Sequence, residues 1–544
     1  MKIRVNGLTI KSDIEQRYFI RKLLICAIVA LLYGATLFLG EELLNGESAF
    51  AYFTYWKSFA YFGIHSMIKG VVPFVVLFLI WTIFDVFRKK SNCEDQTQSR
   101  CEQWVMIAGL VLMSLPCYFA YDHGIISYDA GENIAEAAGV APKSNFQPYA
   151  HTLVWGVFYK LEQLTHVQGM AIAMYSISQC LFIIVICVYL IHQLTRIFGI
   201  HRWTRWIMWG FYAFCPVLTL FSIVLTKDIY FAGFFIIFSL QHLTYLENGN
   251  NGNAREIALV AMSGLLASLF RNNFVYAVGA MFLLDLLAAL TRHNKRYGIL
   301  SMGCLLGAVL TVVITGPVYQ MMGVATSPKK ESLSVPIVQM SAVYNRNGGN
   351  LSDTEKEQIK YYIPDVEKYN PMNADPVKGT FNEQGYETDR KTFWNLWKSL
   401  LKKFPGAYVD SFFYLHLAYV YPNINVVPYV ETGGFEDPNY KRPMANRLPA
   451  VKLYYEYFAH NYQDGTPIHP VLQFFFSIHW PFWILLYTLM VLLVFRKRKW
   501  IASVLPSVLL WGTYLGGPLC NFRYIYPLVL MYPFYIALIA QVAL

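Results

Sequence analysis

The stretch Leu265-Leu266-Ala267-Ser268-Leu269-Phe270-Arg271-Asn272-Asn273-Phe274-Val275-Tyr276-Ala277-Val278 decides how this chain folds. It sits inside residues 257–290, two apolar runs split by one arginine and two asparagines. Runs with no polar stripe offer no face to water, which is the pattern of helices in lipid. The first run, 257–270, is short for a bilayer core that needs about 20 residues. An arginine at the centre of such a helix costs roughly 2.5 to 3.5 kcal/mol unless it meets an anion or water. Arg271 and its two asparagines therefore predict an outer re-entry lined by protein or water rather than lipid.

The rest of the chain agrees. Of its 544 residues, 56% are hydrophobic, 17% aromatic and only 14% charged, against roughly 25% charged in a soluble domain. This composition predicts an all-α polytopic membrane protein. The net charge of +10 comes from lysines and arginines gathered in patches: Arg21 and Lys22, Arg88 to Lys90, Arg292 to Arg296, and Arg496 to Lys499. Such patches mark cytoplasmic loops, and they do not call for a nucleic-acid partner. Nine cysteines at irregular spacing, with Cys26, Cys180, Cys187 and Cys304 inside apolar runs, predict neither disulfides nor a metal cluster.

Twelve candidate spans follow: 18–39, 70–87, 104–121, 168–192, 206–225, 229–246, 257–270, 274–290, 298–319, 471–495, 500–516 and 524–543. An even count puts both termini in the cytoplasm, and the basic loops 88–103, 193–205, 291–297 and 496–499 then all fall inside. The first run follows a basic start and exceeds a signal-peptide core of about 7 to 15 residues, so it reads as a retained span. Residues 146–164 read as a juxtamembrane helix on the outer surface, because counting them as a span inverts every later basic loop. Residues 1–319 thus form a transmembrane module with an outer loop at 122–167. Residues 320–470 form an extracytoplasmic domain of mixed or irregular structure, and 471–544 form the last spans. A helix start inside that domain is legible at Ser352-Asp353-Thr354-Glu355, a capping box.

The same threading carries Asp129, Lys227, Asp228, Arg271 and Arg523 to the outer face, although they are far apart in sequence. Asp129, in Tyr128-Asp129-Ala130-Gly131-Glu132, is placed to act as a general base, worth typically 10²- to 10⁴-fold in rate. The bland reading is a solvated loop or a helix cap. Lys227-Asp228 lies at a tight turn between two spans, where a surface ion pair contributes only roughly 0 to 1 kcal/mol. Arg271, with Asn272 beside it, presents a planar fork suited to a phosphate, or else a structural salt bridge to Asp129 or Asp228. Arg523, in Asn521-Phe522-Arg523-Tyr524, either joins them or anchors its span at the interface. His151 either orients a substrate or is an interfacial polar residue.

Together these stretches resemble the GT-C superfamily of polytopic glycosyltransferases, in a bacterial branch. The matching stretches are Ile126-Ser127-Tyr128-Asp129, Gln147-Pro148-Tyr149-Ala150-His151-Thr152, Thr226-Lys227-Asp228-Ile229, Phe270-Arg271-Asn272-Asn273, Glu331-Ser332-Leu333-Ser334-Val335-Pro336-Ile337-Val338-Gln339 and Asn521-Phe522-Arg523-Tyr524-Ile525-Tyr526-Pro527. The resemblance covers about 104–380 and the last two spans. It departs in placing three spans before the loop, where many relatives have one, and in Gln147-Pro148-Tyr149 replacing a histidine-proline pair.

The resemblance implies a bacterial cell-membrane enzyme that takes a sugar from a polyprenyl-phosphate donor at the outer face. The acceptor would be a cell-envelope glycan, teichoic acid or other lipid-linked polymer. Asp129 and Asp228 would be catalytic, while Lys227, Arg271, Asn272, Arg523, His151, Glu132 and Tyr128 would bind substrate. No cofactor is required, and a divalent cation on Asp129 with Glu132 or Asp228 is weakly supported. The rivals are a lipid-linked sugar flippase or polysaccharide transporter, whose coupling residues belong near the midplane, and an envelope polymerase or ligase acting on a diphosphate lipid.

Overall fold

The computed structural model describes residues 2–89, 98–126, 129–248, 254–422, 424, 448–459, 462–463, 466–467 and 477–542. Almost all of it is helix. The chain begins with α1 (Lys2–Leu44), α2 (Trp56–Lys89) and α3 (Arg100–Ala120), then passes through the two-residue strand β1 (Ile125–Ile126). There follow α4 (Ala130–Ala137), α5 (Tyr149–Thr165), α6 (Met170–Phe198), α7 (Arg202–Phe214), α8 (Pro216–Ser222) and the second short strand, β2 (Val224–Leu225). The bundle continues with α9 (Lys227–Asn248), α10 (Ala254–Phe270), α11 (Phe274–Arg292) and α12 (Lys295–Met321).

Among the described residues, seven helices are long and apolar enough to cross a membrane, and eight if the bent pair Phe522–Leu530 and Tyr532–Val542 counts as one span. The twelve expected spans are therefore not all full-length helices. Those at 206–225, 257–270, 471–495 and 500–516 fall on α7 and α8, on α10, on Trp480–Val494 and on Arg498–Tyr514, none longer than 17 residues. A helix of that length rises about 26 Å, short of a core about 30 Å thick. The cause is local in two cases. Pro216 opens α8 and ends the ladder of α7 at Cys215, and the Arg271 break ends α10.

Small residues let the bundle close. A Cβ on Gly303 of α12 would stand 2.8 Å from Val260 Cβ of α10, and one on Gly307 would stand 2.9 Å from the Ala261 carbonyl. This small-xxx-small spacing lets two helices approach backbone to backbone where water supplies no hydrophobic drive. In the first hairpin, Lys22 Nζ lies 3.0 Å from Asp85 and donates to Thr82 at 2.8 Å, which neutralises two charges between α1 and α2.

The expected domain at 320–470 is helical where it is described. Helices Ser334–Asn347, Asp353–Tyr362, Arg390–Lys403 and Pro405–His416 enclose a core of Ile337, Ile359, Val377, Phe393, Leu400 and Tyr408. The capping box forms: Glu355 N donates to Ser352 Oγ, and Ser352 N to Glu355 Oε2. Among its described residues the strands are the pair Tyr462–Gln463 and Thr466–Pro467. The lobe is tied to the bundle by backbone bonds, Ala374 N to Pro518 O at 2.8 Å and Asn145 N to Ala325 O at 2.8 Å.

Candidate functional site

A parallel two-residue ladder builds the site. Ile125 pairs with Val224 and Ile126 with Leu225, so the loop after α3 runs beside the start of α9. Gly124 makes that approach feasible: its φ is +152°, and a Cβ there would meet Leu225 Cδ1 at 2.9 Å and Ile172 Cγ2 at 3.1 Å. Gln179 of α6 fixes the other side by donating from Nε2 to the carbonyls of Ser222 and Val224, at 2.8 and 2.6 Å. Both strands lead directly into charged residues.

Asp129 and Lys227 therefore meet. Lys227 Nζ lies 2.8 Å from Asp129 Oδ2 and also donates to Gln147 Oε1. Arg523, nearly 400 residues later, donates from Nη1 to the same Asp129 oxygen at 2.7 Å and from Nη2 to Tyr524 Oη at 3.0 Å. Burial alone would raise the Asp129 pKa, but Lys227 and then Arg523 outweigh it and hold the carboxyl well below the usual carboxylate range. Glu132, exposed one turn along α4, moves the other way: partial desolvation, then the charge of Asp129, raises it.

Arg271 occupies the turn between α10 and α11. Its guanidinium lies 4.9 to 5.1 Å from the ring centres of Tyr524, Tyr514 and Phe231, an aromatic cage around a cation. Its Nη1 is 3.6 Å from Asp228 Oδ1, beyond hydrogen-bond length, and is buried without a hydrogen-bond partner among the described residues. Asp228, 1% exposed, accepts at 3.0 Å from Thr226 Oγ1. Asn272 donates to the Asn145 carbonyl at 3.0 Å, while its Oδ1 is likewise buried and unpartnered. Arg523 lies 4.9 Å from the same Tyr524 ring centre, so the two arginines share one ring. Three cations thus stand against the two carboxylates that touch them.

His151 is a part of the frame. It is 1% exposed and both ring nitrogens are engaged. Asn133 Nδ2 donates to Thr152 Oγ1, which turns Asn133 Oδ1 toward His151 Nδ1 at 2.8 Å. Nδ1 therefore carries the proton, and Nε2 accepts from Tyr175 Oη at 2.5 Å. Burial, then Lys227, pushes its pKa down to about 3, consistent with a neutral ring. Trp155 stacks on Tyr175 at 4.5 Å and seals the network. Through these bonds His151 ties Asn133 of α4 and Tyr175 of α6 to α5. Tyr128 lies outside the described residues.

The structure thus brings Asp129, Lys227, Asp228, Arg271, Asn272 and Arg523 to one end of the bundle, with Glu132 on the rim. The opposite end of α9 meets basic loops: Arg296 donates to the Leu246 carbonyl, and Lys499 lies 4.0 Å from Glu247. Sequence reasoning missed Tyr514, Phe231 and the role of Gln147, which carry no charge and gain meaning only from proximity. Tyr524 had a signal in its place next to Arg523.

A model for a family of unknown function, DUF6020, matches residues 143–543. The chain belongs to that family. No curated protein and no solved structure matches it. The matched DUF6020 region contains Lys227, Asp228, Arg271 and Arg523, whereas Asp129 and the first three helices precede it.

Proposed function

We propose that this DUF6020 chain is a glycosyltransferase of the bacterial cell membrane, resembling the GT-C superfamily, that moves a sugar from a polyprenyl phosphate to a cell-envelope or lipid-linked acceptor at the outer face. The observation that carries this reading is the convergence of Lys227 and Arg523 on one carboxylate oxygen of Asp129, beside the caged Arg271. The buried Nη1 of Arg271 and Oδ1 of Asn272 are a donor and an acceptor without hydrogen-bond partners among the described residues, the combination a sugar phosphate can satisfy. The basic loops at the other end of α9 support an outward-facing site with both termini inside.

In the proposed reaction, Asp129 accepts the proton of an acceptor hydroxyl as that oxygen attacks the anomeric carbon. The bond from that carbon to the phosphate oxygen breaks, and the phosphate leaves with the electron pair and inversion at carbon. Lys227, Arg271 and Arg523 neutralise the charge that grows on it, and such charge stabilisation is worth most when it strengthens in the transition state. A carboxylate held by two cations is a weak base. An arriving phosphate competes for Lys227 and Arg523, loosens their hold on Asp129 and raises its basicity when it is needed. The chemistry requires no cofactor.

The test uses purified protein in lipid with radiolabelled polyprenyl-phosphate hexoses and envelope acceptors. Asp129→Asn is expected to lower transfer about 10²- to 10⁴-fold. Unchanged transfer removes Asp129 as the base. Failure of every monophosphate donor together with lipid translocation in vesicles replaces the transferase with a flippase.

A further inference from the structure

The bundle holds a second polar cluster, about 22 Å along α9 from Lys227 by helical rise. His242 of α9, Asp285 of α11 and Cys304 of α12 are buried together, and their donor atoms all lie within 4.8 Å of one another. His242 Nδ1 donates to the Phe238 carbonyl at 3.0 Å, which fixes the tautomer and leaves the Nε2 lone pair facing inward. Nε2 meets Asp285 Oδ2 at 3.3 Å and Cys304 Sγ at 3.8 Å. With Nδ1 already donating to a carbonyl, the contact between Nε2 and the carboxylate calls for a cation between them, either a proton or a metal ion.

We propose that this cation is a divalent transition-metal ion of the zinc type, bound by His242 Nε2, an Asp285 oxygen and the Cys304 thiolate. The donor set suits it: nitrogen, oxygen and sulfur together match a borderline-soft ion, not magnesium or calcium. The spacing suits it too. Tetrahedral bonds of about 2.0 Å to nitrogen and oxygen and about 2.3 Å to sulfur put the donors about 3.3 Å (N to O) and about 3.5 Å (N or O to S) apart. The separations from Nε2, 3.3 and 3.8 Å, are close to these, and the oxygen and sulfur lie within 4.8 Å of each other. The bond from Nδ1–H to a backbone carbonyl is the outer support that metal-bound histidines commonly have. Charge agrees as well, since one carboxylate and one thiolate cancel a divalent ion, leaving no net charge in the membrane interior. The sequence hides the site because its three donors stand 43 and 19 positions apart. The ion ties together α9, which carries Lys227 and Asp228, α11, which follows Arg271, and α12, and three protein ligands leave its fourth tetrahedral position open.

The experiment uses full-length protein in lipid nanodiscs, purified from zinc-supplemented medium with an affinity tag that contains no histidine. Elemental analysis is expected to give about one zinc per chain, falling at least about tenfold in His242→Gln and in Cys304→Ser that elute as the wild type does. If those variants do not fold, cobalt added to chelator-stripped wild type decides. A thiolate-to-cobalt charge-transfer band with tetrahedral visible absorption supports the site. Stripped wild type that binds neither zinc nor cobalt overturns it in favour of a proton shared between Asp285 and His242. Full zinc content in both folded variants overturns it by placing the metal elsewhere.

Discussion

Lys227→Met tests the electrostatics of the site most directly. It removes one of the two cations on Asp129 while keeping the length of the side chain. At 2.8 Å and an effective dielectric of 20 the pair attraction is at most roughly 6 kcal/mol, and partial exposure of both groups reduces it. An opposite charge this close typically lowers a carboxyl pKa by about 1 to 3 units, so its loss is expected to raise Asp129 by that amount. Arg523 remains at 2.7 Å and limits the rise. The sign for stability follows. Asp129 is depressed in the folded protein, so its stabilisation is complete above the ordinary aspartate pKa of about 3.9 and fades only as pH falls through the lower folded value. In Lys227→Met that fading moves up in pH and its amplitude shrinks. Difference infrared spectroscopy in lipid, with Asp129→Asn to assign the band, follows the protonated carboxyl directly. If the band appears at the same pH in wild type and Lys227→Met, the two groups are not coupled and the proposed release of Asp129 by an incoming phosphate fails with them.

Arg271→Met leaves Asp228 buried without its cation and is expected to cost about 3 to 5 kcal/mol, with Arg271→Met/Asp228→Asn recovering much of it. Denaturant unfolding in mixed micelles reads that cycle, and strictly additive losses contradict the pairing. His151→Ala breaks bonds to Asn133 and Tyr175 and is expected to lower thermal stability while leaving KM for the donor near wild type. A large rise in KM with unchanged stability returns His151 to substrate contact. Gly124→Ala forces a methyl against Leu225 and Ile172, costing about 1 to 3 kcal/mol and slowing transfer by displacing Asp129. Wild-type activity there shows that the ladder does not set the position of Asp129.

The sequence made the membrane class legible because apolar runs without a polar stripe have only one home. The charges were legible for a related reason: Arg271, Lys227 and Asp228 interrupt such runs, where each needs a partner. What stayed hidden depends on proximity across hundreds of residues. Nothing near Arg523 announces that it shares an oxygen of Asp129 with Lys227. Span length was overread at 206–225, where hydropathy alone misses the break at Cys215-Pro216, whereas the short run 257–270 ends at Phe270, where the polar break placed its end. The lobe after α12 was legible only at its capping box, since its short amphipathic helices take their core from one another.

The ladder between β1 and β2 also constrains how such a molecule can move. Because main-chain bonds link the loop bearing Asp129 to the residues that open α9, a sideways step of that helix carries both partners together and leaves their separation unchanged. Arg523 reaches the same carboxylate through a side-chain bond outside that ladder, so its distance to Asp129 is not tied to the position of α9 in the same way.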